Sequence, residues 1–214
     1  MSRVLEHGHV FFLYRPRVGA EEVRRLEDVQ RFSLLLHSEG RALFRRLIVG
    51  RKRLPDLRTH ERVWAFVADV AGGPPAPDAY PAGEGRYALV DHGGHTHLAY
   101  VLELPPRPGE AQRIFGIERE ASYVIAVRNP DAPAPPSAGL QPRRRPDYPD
   151  PLRARFGGRR FSPVDPPELL DHEGAEVVII GAAADAETEL GIDLDPETER
   201  IELPFEPLER GEPR

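Results

Sequence analysis

Apolar residues along this chain fall in short runs, each closed by glycine or proline, and that pattern predicts strands rather than long helices. Val10–Tyr14 (VFFLY) is ended by Arg15-Pro16-Arg17-Val18-Gly19. Phe32–His37 (FSLLLH) turns at Ser38-Glu39-Gly40 into Ala42–Val49 (ALFRRLIV). The latter run fits a helix by its spacing, but its Leu-Ile-Val cluster and the hairpin-length turn favour a strand. Arg62–Val70 (RVWAFVADV) is read as a strand for its Val, Trp and Phe content. Arg86–Asp91 and His95–Leu104 flank Gly93-Gly94 and predict a β-hairpin. Ser122–Val127 (SYVIAV) and Ala175–Ile180 (AEVVII) complete the strong strands, and Ile201–Phe205 is read as a last edge strand. Helical expectations are few: Ala20–Val29, with apolar residues at 23, 26 and 29; a turn in Glu110–Ile117; and a proline-started helix at Pro166–Leu170.

The fold class that follows is α+β and strand-rich, with short antiparallel strands in a sheet or barrel-like arrangement and few short helices. Residues 1–184 are expected to form one β-rich domain. A repeated order of histidines, strand, glycine turn and closing proline suggests two similar halves, about 1–72 and 85–131, with 152–184 completing the core. Gly72–Gly85 reads as a surface connection. The 131–151 stretch holds seven prolines and reads as a Pro-rich connection.

Composition narrows the chemistry. The chain has 24 prolines and 19 glycines among 214 residues, which argues against a helix bundle. It has no cysteine, so disulfides, thiolate metal sites and cysteine nucleophiles are excluded. No apolar run approaches the ~20 residues that span a bilayer, and Val10–Leu13 is shorter than a signal-peptide core of roughly 7–15 residues. The expectation is a soluble, cytoplasmic protein without membrane contact. Its formal charge of −6 is uneven, because residues 185–214 form an acidic C-terminal tail.

The stretches Arg31–Pro55 (RFSLLLHSEGRALFRRLIVGRKRLP), His95–Pro105 (HTHLAYVLELP) and Phe161–Gly181 (FSPVDPPELLDHEGAEVVIIG) together resemble an uncharacterised bacterial protein family. The resemblance spans most of the chain and implies a single inherited unit. It supplies no activity, cofactor or catalytic residue.

Histidines are the most specific chemical feature. On a strand, residues two apart face one side, so His7 and His9 project together, as do His95 and His97. Were the N-terminal strand to lie beside the hairpin, four imidazoles would converge near Asp91 and suit zinc or another divalent metal. That arrangement is the basis of one alternative, a metal-dependent hydrolase-type enzyme. The segment around His172 lacks the second histidine of HExxH. No serine lies in G-x-S-x-G or S-x-x-K, and Ser122 reads as strand chemistry. No phosphate-binding glycine loop is present. Alternation places Glu103 on a wet face between Leu102 and Leu104.

Arg51, Lys52 and Arg53 are candidate anion-binding residues within the basic Arg41–Arg62 stretch. RNA binding is a weaker alternative: overall charge is negative, and aromatics are not interleaved with the cations. An acidic tail folded onto Arg41–Arg62 would screen it. The leading functional expectation is a binding or interaction module without a cofactor, whose partner is another protein or a small anionic ligand.

Overall fold

Each apolar run becomes a strand because its β-branched and aromatic side chains suit a pleated surface packed on at least one face. The computed structural model describes residues 2–20, 22–73, 79–133 and 144–194. Strands β1 (Arg3–Pro16), β2 (Val29–Ser38), β3 (Leu43–Val49) and β4 (Arg62–Ala71) form an antiparallel meander. The hairpin β5 (Tyr80–His92) and β6 (His95–Leu104) follows, with β5 returning to pair with β1. Strand β7 (Glu120–Arg128) pairs with β6 and with β9 (Glu176–Ala183), and β9 pairs with β4. The circuit β1-β2-β3-β4-β9-β7-β6-β5 closes into an eight-stranded antiparallel barrel. Short β8 (Phe161–Pro163) pairs with Ala126–Arg128, beyond the reach of β6.

Alternation decides what enters the barrel. Val10, Phe12 and Tyr14 of β1, Leu34 and Leu36 of β2, Tyr87 and Leu89 of β5, and Tyr100 and Tyr123 of β6 and β7 share one buried core. The end where β1 finishes is plugged by Leu54, Phe115 and Ile117. Phe115 stacks on Phe32 and Tyr14, with ring centroids 5.0 and 5.2 Å apart. At the opposite end Tyr148, Phe156, Leu169 and Leu170 pack on the core, and Tyr148 donates to the Leu169 carbonyl at 3.0 Å. The interior is thus filled by side chains.

Helices are short: α1 (Glu110–Ile114), α2 (Asp150–Arg153) and α3 (Ala186–Leu190), with 3-10 turns at Ala154–Phe156 and Pro167–Leu170. No helix among the described residues is long and apolar enough to cross a membrane.

Two expectations are corrected. Ala20–Val29 is not a helix: only Leu26–Asp28 forms a 3-10 turn, and Val29 already opens β2. Three apolar positions bury too little to hold an isolated helix of that length. Asp28 instead accepts the backbone N–H groups of Arg24 and Arg25 and fixes a turn. The connection after Gly72 also ends earlier than Gly85, because β5 starts at Tyr80. Gly85 belongs in that strand for a steric reason: a Cβ there would run into the Val101 carbonyl oxygen. The expected strand at Ile201–Phe205, the acidic residues beyond Leu194 and much of the Pro-rich 131–151 stretch lie outside the described residues.

Candidate functional site

The two histidine pairs lie on the outside of the barrel, but β5 stands between them. His9 pairs with Arg86 on one side of β5, whereas His97 pairs with Val90 on the other. Those rows are about 13 Å apart along the strand and about 10 Å across it. The expected convergence of four imidazoles near Asp91 is therefore not formed. Among the described residues no group of three or more His, Asp and Glu side chains is placed to hold a metal ion.

The N-terminal pair converges on a residue that sequence reasoning passed over. Glu39, in the turn after β2, lies 2.9 Å from His7 Nδ1 and forms an ion pair with Arg86. Arg86 donates from Nη1 to His9 Nε2 at 2.9 Å, which makes that nitrogen an acceptor. Burial, reinforced by the Arg86 charge, pushes His9 down to about 4, so its imidazole is neutral at pH 7. Burial alone would raise the Glu39 carboxyl, but Arg86 and the two histidines hold it below its ordinary value. Neighbouring His37 is also pushed down by burial.

At the second pair, His95 is exposed and His97 buried. His97 Nδ1 lies 3.1 Å from Ser122 Oγ, and Ser122 donates to Glu189 Oε2 at 2.5 Å. With the hydroxyl hydrogen committed to the carboxylate, His97 must donate its Nδ1–H to the serine. The order is imidazole, hydroxyl, carboxylate, which runs opposite to the proton path of a serine nucleophile. Ser122 is fully buried, and α3 carries Glu189 across it. Ser2 closes the same corner, bridging His92 Nδ1 and the Leu190 carbonyl. The cluster fastens α3 to the barrel, where Ala186, Leu190 and Leu194 cover Ala88, Val90 and Ala99.

Arg51, Lys52 and Arg53 are brought together by the β3–β4 turn. Arg53 reaches both oxygens of Glu61, at 2.7 and 3.0 Å, and Arg51 reaches the same carboxylate at 2.6 Å. Lys52 donates to the Val29 carbonyl at 2.6 Å. Two of the three cations thus share one carboxylate, and the third is spent on a backbone carbonyl. Other arginines of the Arg41–Arg62 stretch also have acidic partners in the barrel body: Arg41 with Glu168 and Asp171, Arg45 with Glu6 and Asp171, Arg46 with Asp69.

Three faces of the barrel exterior are apolar, and they differ in what lies on them. Over β5 and β6 lies α3. Over β1, β2 and β3, the buried cluster Phe11, Leu13, Leu35 and Phe44 meets Ala79. Ala71, at the end of β4, pairs with Phe44, so the β4–β5 connection starts and finishes on this cluster. The third face runs across β3, β4, β9 and β7. It presents Ile48, Phe66 and Trp64, then Val178 and Ile180, then Val124 and Ala126, with Phe161 of β8 beyond. Trp64 and Phe161 lean towards each other to 5.9 Å between centroids, over the buried Val178. The others remain half-buried. An antiparallel barrel ordinarily turns polar residues outward here. The signal was present in the sequence: in both β4 and β9 the apolar run ignores alternation, as strands packed on two faces do.

No family model, curated protein or solved structure matches this chain, in keeping with its likeness to a family without an assigned activity.

Proposed function

We propose that the protein is a binding module that engages an extended polypeptide segment on the outer face of β3, β4, β9 and β7. The observation that supports this is the contiguous apolar surface of Ile48, Phe66, Trp64, Ile180 and Val124 on the outside of a barrel whose interior is already filled. Such surfaces on soluble proteins mark sites of association. Arg62 and Arg160 are exposed beside it, and Arg46 and Arg128 lie at its margins with Asp69 and Glu176. A segment with apolar residues two apart and carboxylates between them matches that pattern.

Trp64 is the single tryptophan of the chain, so its fluorescence reports this face alone. Ten-residue peptides with Leu or Phe at alternate positions and Glu between them, titrated to millimolar concentration, should shift its emission to the blue and saturate. Phe66→Glu should abolish the response. No saturable shift, or an equal response to a Gly/Ser peptide, rejects the reading.

A further inference from the structure

We infer that the partner segment is read in register along β4: two apolar side chains on Trp64 and Phe66, and a carboxylate on the same side, two residues beyond them at one end only, on Arg62. The inference rests on the binding-face reading above and adds the register and the polarity of the occupant. Val63 and Ala65 point into the barrel and are buried, so Arg62, Trp64 and Phe66 stand in line on the outside. They repeat every ~6.8 Å, two strand rises, and the same-side residues of an extended partner repeat at the same interval. A segment laid along β4 therefore meets a cation, an indole and a phenyl ring in step with its own alternate side chains.

Charge along that line is one-ended. Arg62 is exposed and has no acidic partner among the described residues. It closes the stretch 51–62, which carries five basic and two acidic side chains. Both acids are committed there: Glu61 to Arg51 and Arg53, Asp56 to the backbone N–H groups of Arg58 and Thr59. Beyond Phe66 the sign changes. A bulge between Arg46 and Leu47 turns Asp69 to the outside, where its side chain is 43% exposed against Arg46. Glu176, paired across the strands with Phe66, already holds Arg128. A carboxylate arriving at the Phe66 end meets Asp69, whereas one arriving at the other end meets an uncommitted guanidinium. Sideways the choice is equally narrow. Two strand spacings from β4, about 10 Å, Glu189 of α3 is exposed above Ser122 of β7 and repels a second carboxylate. The acidic end of a partner is thereby confined to the β4 corner.

The test uses the full-length chain and end-blocked peptides of one composition. Two carry Leu-x-Leu-x-Glu and Glu-x-Leu-x-Leu, with Gln and Ser elsewhere, and so cover both chain directions. Their controls move the glutamate by one position, which turns it away from the face. By Trp64 emission and by calorimetry, the better in-phase peptide should bind about two- to fivefold more tightly than its control at low salt, the range of an exposed ion pair. Salt at ~1 M, where screening acts within about 3 Å, should remove the difference. Arg62→Gln should weaken the in-phase peptide to the level of its control and leave the control unchanged, while Arg62→Lys should keep part of the preference. Both variants alter an exposed side chain, and unchanged far-UV circular dichroism checks that they fold. Equal affinity in and out of phase, or a preference that survives Arg62→Gln, overturns the inference and leaves the binding face standing. No saturable response to any of the four peptides removes both. Trp64 emission that follows protein concentration without peptide assigns the face to a second copy and also overturns the inference.

Discussion

The guanidinium of Arg45 has no exposure to solvent and is gripped by both carboxylate oxygens of Glu6, at 2.5 and 3.0 Å. Asp171 accepts from its Nε at 2.7 Å, and the Tyr87 hydroxyl donates to Glu6 at 2.6 Å. Burial alone would raise Glu6, but Arg45 and Tyr87 more than offset it and its carboxyl sits below the ordinary value. These groups tie β1, β3 and β5 to the Pro167–Asp171 segment at one barrel end. Removing one partner strands a buried charge, so Arg45→Ala should cost about 3–5 kcal/mol. Arg45→Met with Glu6→Leu should cost less than either single substitution. Urea unfolding of the three variants measures this, and a cost for Arg45→Ala under about 1 kcal/mol would place the pair with ordinary surface bridges.

Stability should fall in mild acid because of His9. Its folded-state value is about 4, against about 6.5 in the unfolded chain. The contribution is complete above pH ~6.5, declines as the unfolded state takes up a proton, and is gone below pH ~4. Its size is on the order of 2–3 kcal/mol. His37 and His97, both pushed down by burial, act with the same sign. His9→Asn should flatten the profile between pH 7 and 5 in urea unfolding. An unchanged slope would locate the acid sensitivity elsewhere.

Local pattern carried the strands well, since the facing of Phe12 or Leu34 follows from period-two alternation and a closing turn. It also placed His95 and His97 on one side. What it could not carry was register: whether His9 meets His97 depends on β5 lying between β1 and β6, which is a long-range pairing. Glu39 was likewise invisible, because a turn glutamate acquires meaning only once Arg86, nearly fifty residues later, is brought beside it. The outward face of Trp64 and Phe66 was written in the sequence as a failure of alternation, a signal shared with fully buried strands.

Backbone proximity separates two glycines that look alike in sequence. Gly85 faces the Val101 carbonyl across β5 and β6, and a Cβ has no room there. Gly93 sits in the hairpin turn at φ +60° with open space around it. Gly93→Ala should therefore cost only about 1 kcal/mol, the strain of a left-handed alanine. Gly85→Ala must spread the two strands and should cost more than about 3 kcal/mol. Thermal midpoints of the two variants decide it; equal losses would mean that the β5–β6 spacing yields freely.

The fastening of α3 should be asymmetric. Ser122 is fully buried, whereas Glu189 is exposed and can turn to water once its partner is lost. Ser122→Ala leaves the buried His97 Nδ1–H without its acceptor, which costs about 1–3 kcal/mol. Glu189→Ala takes away the acceptor of the Ser122 hydroxyl, but that hydroxyl can turn and donate to His97 Nδ1 in the other imidazole tautomer, so the cost should stay near the net worth of one such bond, roughly 0.5–1 kcal/mol. Because Glu189 rides on α3, both substitutions should speed amide hydrogen exchange at residues 186–190 more than in β1 or β2. A uniform rise in exchange across the barrel, or a larger loss from Glu189→Ala than from Ser122→Ala, would mean that the serine bears on the core and not on the helix it holds.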